Sequence, residues 1–160
     1  MEKNTMKTFA KFLTGVTVVI VALLAYYIYS SNLALSVNVT IVPASERADD
    51  FDKIAMDVQA GDYENISALR SMEEYYFVTI DVSAKNFSPF PAEWAQFVPR
   101  PIEGDVIIAS QDAGPKDIER FKEGRFSVTL LTTARETTRT GWLEYYVFGR
   151  FHSVEGIPSY

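Results

Sequence analysis

The stretch Leu33-Ala-Leu-Ser-Val-Asn-Val-Thr-Ile41 alternates strictly between large apolar residues and small or polar ones. Successive side chains of an extended chain point to opposite faces. Leu33, Leu35, Val37, Val39 and Ile41 therefore share one face, and Ala34, Ser36, Asn38 and Thr40 the other. This is the pattern of a strand with one face buried, and Pro43 ends it. The same period returns at Tyr76-Phe-Val-Thr-Ile-Asp-Val-Ser-Ala-Lys-Asn86. There Tyr76, Val78, Ile80, Val82 and Ala84 point inward, and Thr79, Asp81, Ser83 and Lys85 outward.

Further strands follow the second one. Asn86–Pro91 reads as a turn, because its two prolines restrict the backbone and remove donors. Glu93–Val98 is a strand closed by Pro99 and Pro101, and Asp105–Ser110 is another, followed by a loop through Gly114-Pro115. Phe126, Val128 and Leu130 mark the next. The last runs from Trp142 to Phe151, with Leu143, Tyr145, Val147 and Phe151 on one face. Six or seven short strands separated by turn signals predict an all-β domain, a β-sandwich of immunoglobulin-like type. The disulfide and packed tryptophan of a true immunoglobulin domain are absent.

Between the first two strands, residues 46–72 break the alternation. Asp49 or Asp50 is placed to cap a short helix with a stripe of Phe51, Ile54, Ala55 and Val58, and Gly61 sits where a left-handed C-terminal cap is wanted. A second helical turn near Ile66–Arg70 is weaker. This insertion is expected at the end of the domain far from the chain's N-terminal segment.

That N-terminal segment is of a different kind. No charged residue occurs from Phe12 to Ser45, and Phe12–Ser30 is dominated by Val, Ile, Leu and Ala. About 20 helical residues cross a hydrocarbon core of roughly 30 Å. Lys3, Lys7 and Lys11 flank one end and Tyr26, Tyr27 and Tyr29 the other. The expectation is a cytoplasmic tail (residues 1–11), a transmembrane helix (12–30) and an extracytoplasmic β domain (33–160), held at the cell membrane by a single span. A cleavable signal sequence fits less well, because the apolar run is long and Asn32 spoils the best small-x-small site. A type IV pilin would carry a glutamate after Gly15, where Val16 stands. With only Ser30–Asn32 between anchor and strand, the domain is expected to rest on the bilayer.

Composition narrows the function classes. Three of the 15 basic residues and one of the 21 acidic ones precede residue 31, so the β domain is more acidic than the chain's net −6. Such a domain is repelled by phosphate backbones, which argues against nucleic acid as a partner. The chain has no cysteine. Thiolate metal sites, cysteine nucleophiles and a lipoprotein anchor are excluded, and a disulfide-free surface domain points to a bacterial or archaeal source. The anchor followed by Tyr76–Ser88, in which an alternating strand ends in Asn86 and a turn, and by strands near the end resembles bacterial single-pass surface proteins with an immunoglobulin-like extracytoplasmic domain of unknown function. The resemblance spans roughly residues 75–150 and implies the fold rather than an activity.

No catalytic constellation is evident, and no cofactor or small-molecule substrate is implied. His152 is the one histidine, and no Gly-x-Ser-x-Gly elbow accompanies it. Asp49, Asp50, Asp52 and Asp57 lack the alternation of a calcium loop and read as acids favouring a helix N-terminus. The sequons at Asn38, Asn65 and Asn86 read as coincidental in a bacterial chain. The aromatic residues carry more. Trp142, Tyr146 and Phe148 fall on the face opposite Leu143, Tyr145 and Val147, and with Trp94 they form the candidate interaction surface. The expected role is a non-enzymatic module that contacts membrane lipid through its helix and an envelope protein through its aromatic strand or the insertion at residues 46–72. The alternatives are a cell-wall or carbohydrate-binding domain and a filament or complex subunit.

Overall fold

The computed structural model describes residues 2–30, 33–63, 66–136 and 138–156, with the side chains of 2–6 and 28–30 outside that description. The apolar run forms one helix, α1 (Glu2–Ser30), which begins ten residues before Phe12. Its stretch Lys7–Tyr27 is long and apolar enough to cross a membrane, and it is exposed as far as Tyr26, with Tyr27 half-buried. Thr14 and Thr17 donate their hydroxyls to the carbonyls of Ala10 and Leu13, both at 2.9 Å. These bonds satisfy the polar side chains within the helix itself, as an apolar surrounding requires.

The alternating stretches become β1 (Leu33–Pro43) and β2 (Tyr76–Asn86), paired antiparallel from Leu33↔Asn86 to Pro43↔Tyr76. The remaining strands are β3 (Ala92–Pro99), β4 (Asp105–Asp112), β5 (Lys116–Ile118), β6 (Glu123–Thr132), β7 (Gly141–Val147) and β8 (Arg150–Gly156). They form two four-stranded antiparallel sheets, ordered β1-β2-β6-β4 and β5-β3-β7-β8. Val37, Val78, Ile80, Val82, Phe126 and Val128 of the first sheet share one core with Ala95, Phe97, Leu143, Tyr145 and Val147 of the second. The sheets therefore pack face to face. Each fully buried aliphatic or Phe side chain there stabilises the fold by about 1.5–3 kcal/mol.

Two strand assignments change. The expected single strand from Trp142 to Phe151 is a hairpin, turned by Phe148 (φ 51°) and Gly149 (φ 68°) between Val147 and Arg150. A two-residue turn with both φ values positive matches the twist of paired strands. It moves Phe151 off the inner face and sets it opposite Tyr146 on the outer one. The short edge strand β5 has too few residues to show a period, so it carried no sequence signal.

The insertion forms α2 (Ala48–Ala60), with Phe51, Ile54 and Val58 buried and Gly61 at φ 86° closing it. The capping expectation is not met. Arg47 holds the N-cap position without a side-chain bond, and Asp50 instead pairs with Arg47 at 2.6 Å. Residues Ile66–Arg70 are not helical; a short 3-10 turn forms at Met72–Glu74. Nor does the insertion simply extend the end of the domain. Its stripe packs on Phe77, Ile107 and Leu131, covering the far half of the first sheet's outer face. Phe77 lies on the side of β2 opposite Val78 and is buried for that reason, with 1% exposure.

The two ends of the sandwich are fastened differently. At the end nearest α1, buried Asn86 donates from Nδ2 to the carbonyls of Phe90 (2.8 Å), Ile118 (3.2 Å) and Glu119 (3.3 Å). Its Oδ1 accepts from the Ser88 N–H at 2.8 Å. One side chain thus joins the β2–β3 and β5–β6 loops. At the far end, fully buried Arg139 grips Asp105 through both carboxylate oxygens, at 2.7 and 2.8 Å.

Candidate functional site

The outer face of the second sheet carries no covering layer among the described residues. Register places Glu93, Gln96 and Val98 of β3 opposite Tyr146, Glu144 and Trp142 of β7, and these opposite Phe151, Ser153 and Glu155 of β8. Directly paired residues share a face, so this is one continuous surface. Tyr146 is 42% exposed and Phe151 55% exposed, and their rings meet edge to face at 5.7 Å. Glu144 beside them accepts a hydrogen bond from Gln96 Nε2 at 3.1 Å. The result is a small aromatic patch bordered by the carboxylates of Glu93 and Glu144, with Glu155 farther along the same face opposite Trp142.

The four aromatic residues singled out from the sequence do not form one patch. Tyr146 sits in the pair just described. Trp142 lies two pleats farther along β7, half-buried, with the Arg100 guanidinium 6.0 Å above its ring. Phe148 is at the tip of the β7–β8 hairpin, 4.3 Å from the Phe90 ring and 5.8 Å from that of Tyr27 on α1. Trp94 occupies an irregularity in β3, at φ 54°, where the β3–β7 register shifts. It is 66% exposed, and the Asp117 carboxylate accepts its backbone N–H at 2.9 Å. Trp94, Pro115, Lys116 and Asp117 line a shallow depression of about 390 Å³.

A second polar region lies on the first sheet's outer face, in the half that α2 leaves open. Ser36, Asn38, Asp81, Asp112, Glu123 and Arg125 line a groove of about 370 Å³. Ser127 donates to Asp81 at 2.7 Å, and Arg125 donates to Glu123 at 2.9 Å. The bond from Arg125, and then that from Ser83, hold the Glu123 carboxyl below the usual carboxylate range. Side chains that satisfy one another in this way present little unpaired chemistry to a ligand.

His152 stands opposite Tyr145, its ring stacked on the tyrosine at 5.3 Å. Its Nε2 has no hydrogen-bond partner among the described residues, so none of their hydroxyls or carboxylates orients that nitrogen for proton transfer. Burial pushes the Tyr145 phenol up, opposed in part by a backbone hydrogen bond from Leu33. Among the described residues no three His, Asp or Glu side chains converge on a point where a cation would bind. Asp49, Asp50 and Asp52 are exposed around the start of α2.

No family model, curated protein or solved structure matches this chain. The sequence pattern missed Phe151, because only the Phe148-Gly149 turn returns that residue to Tyr146. The Gly after an aromatic residue was the available signal, but Asn-Gly or Asp-Gly is the usual mark of such a turn. The burial of Asn86 and Ser88, each 1% exposed, gives their sequon a structural reading. Asn38 is exposed, and Asn65 lies outside the described residues.

Proposed function

We propose that this chain is a single-pass membrane protein whose β domain lies outside the cell and binds an envelope protein. The observation that carries the reading is the outer face of the second sheet, uncovered among the described residues, where Tyr146 and Phe151 are exposed beside Glu93 and Glu144. Exposed aromatic residues ringed by polar ones are the usual centre and rim of a protein contact. The carboxylate rim favours a partner whose facing surface is basic. Anchorage rests on the length and apolarity of the span Lys7–Tyr27 and on the lysines at its start, which favour a cytoplasmic N-terminus. Residues 1–11 are then the tail, and the β domain follows from residue 33.

The strand order supports an immunoglobulin-like classification. β1-β2-β6-β4 corresponds to the A-B-E-D sheet of a constant-type domain, and β3-β7-β8 to C-F-G, with β5 added at the edge. This agrees with the resemblance to bacterial surface proteins drawn from Tyr76–Ser88. A photo-crosslinking residue at Tyr146 tests the role. In native membranes it is expected to give a discrete protein adduct that a crosslinker at Asn38, on the opposite sheet, does not give. No adduct at Tyr146, or the same adducts from both positions, would remove the basis of the reading.

A second reading has its own observation. Trp94, two-thirds exposed beside Lys116 and Asp117, offers a flat ring with polar groups at its edge, which suits stacking on a sugar. Retention of the protein on purified wall polysaccharide, lost in Trp94→Ala and kept in Tyr146→Ala, would favour carbohydrate over protein as the ligand.

A further inference from the structure

The loops at the α1 end of the sandwich carry phenylalanines that the fold leaves largely exposed. Phe87 follows β2 and is 49% exposed; Phe121, in the β5–β6 turn, is 61% exposed; Phe148, on the β7–β8 turn, is 60% exposed. Register and hydrogen bonds put all three at one end. Leu33, the first residue of β1, pairs with Asn86, and Lys85 pairs with Glu123. Asn86 ties the loop of Phe87 to the loop of Phe121, and Phe148 packs on Phe90 of the first of these.

Two of the three occupy backbone positions that disfavour them. The Lys122 N–H reaches the Glu119 carbonyl at 3.2 Å, closing a turn in which Phe121 sits at φ 58°. Phe148 is at φ 51°. Glycine or asparagine is the low-strain residue at such positions, and a bulky ring there costs stability. Folding returns little of that cost at Phe121, which stays 61% exposed, and at Phe148, 60% exposed, it returns the contacts with Phe90 and Tyr27 alone among the ring pairs described.

The anchor fixes the level of this rim. Tyr27 ends the span Lys7–Tyr27, and its ring lies 5.8 Å from that of Phe148. Whatever depth Tyr27 takes in a bilayer, Phe148 takes nearly the same. Aromatic rings favour the level of the lipid headgroups. Basic side chains flank the rings: Lys85 lies 4.9 Å over Phe87, Arg120 precedes Phe121 and Arg150 follows the hairpin turn, while Lys122 is paired with Glu119 of its own turn. Long cationic chains reach back to headgroup phosphates while their stems stay in the apolar layer.

We propose that this end of the domain is a bilayer-docking face, in which Phe87, Phe121 and Phe148 enter the headgroup layer and hold the sandwich upright on the membrane. The proposal rests on the anchored reading given above and adds a second, lipid-facing surface to it. Docking leaves the outer face of the second sheet free along its length and presents it at a fixed angle to a neighbour.

The chain lacks cysteine, so single cysteines report without background. Full-length protein carrying Phe87→Cys, Phe121→Cys or Arg120→Cys is labelled with an environment-sensitive fluorophore and reconstituted in phosphatidylcholine vesicles. Arg120→Cys leaves every phenylalanine in place, so the test survives if a Phe variant folds poorly. Met56→Cys, 67% exposed on α2 at the far end, is the reference. Docking predicts several-fold stronger quenching by spin-labelled lipid at 87, 120 and 121 than at 56, with iodide quenching reversed in order. Flotation of the vesicles reports the anchor separately. Protein that floats but shows position 121 as open to iodide as position 56 overturns docking alone, and protection found only in native membranes overturns it in favour of a protein partner. Protein that fails to float overturns the anchor and docking together.

Discussion

Asn86→Ala is expected to loosen the anchor-side end of the sandwich more than any other single polar change in the domain. Asn86 is 1% exposed and fills four hydrogen bonds with its side chain. Alanine strands the Ile118 and Phe90 carbonyls and the buried Ser88 N–H. At about 1–1.5 kcal/mol for each group left without a partner, the loss is about 3–4.5 kcal/mol. That is a large share of the roughly 5–15 kcal/mol that separates a domain from its unfolded state. With a urea dependence of about 2 kcal/mol per molar, the unfolding midpoint should fall by about 1.5–2 M. The assay is tryptophan fluorescence of full-length protein in detergent, since Trp94 and Trp142 both lie in the β domain. Asn86→Asp sharpens the test. It keeps the acceptor for Ser88 but aims carboxylate oxygens at carbonyls, so it should be at least as harmful at pH 7 and partly recover on acidification, when the protonated acid donates again. A midpoint shift below about 0.5 M for Asn86→Ala would refute the assignment of Asn86 as the fastener of that end.

Three further outcomes follow from the structure. Asp105→Ala leaves the buried Arg139 charge unpaired and should cost about 3–5 kcal/mol in the same urea assay, whereas an Arg139→Met and Asp105→Leu double variant should lose much less. Phe51→Ala, which removes the ring packed 5.5 Å from Tyr75, should cost about 3–5 kcal/mol. Met56→Ala on the exposed side of the same helix should stay within about 0.5 kcal/mol, and equal effects would mean that α2 is not docked as described. The raised ionisation of Tyr145 means that the folded chain holds its phenolic proton after the unfolded chain has lost it. Its contribution is therefore full below about pH 10 and is lost as pH rises beyond, and Tyr145→Phe should flatten the alkaline fall in stability measured by circular dichroism.

Much of the architecture was legible because single residues spoke plainly. The period of two in Leu33–Ile41 and Tyr76–Lys85 set which faces are buried, and the i, i+3, i+4, i+7 spacing from Phe51 to Val58 set α2 and its buried stripe. Gly61 closed that helix as its position suggested. What stayed hidden depended on tertiary partners. Phe77 shares the period of Thr79 and Asp81, and nothing local says that α2 will return to cover it. Asp49 and Asp50 looked like caps, but a 3-10 turn from Ala44 to Arg47 runs straight into α2 and leaves the N-cap position to Arg47. Trp94, Trp142, Tyr146 and Phe148 were legible as unusual residues, yet not as a surface. A strand bulge, a hairpin turn and an edge strand of three residues disperse them, and none of these has a periodic signature. The phenylalanines of the anchor-side rim were invisible for the same reason, since only the fold brings three distant loops to one end.

The most direct test of the central claim, a β domain outside the cell on a single span, is the accessibility of Met56→Cys to a membrane-impermeant maleimide in intact cells. Met56 is exposed, lies on α2 away from the anchor, and has no other thiol in the chain to compete with it. Labelling of intact cells, equal to that after lysis, is the predicted result. Labelling that appears only once the cells are broken would place the domain inside and contradict the account.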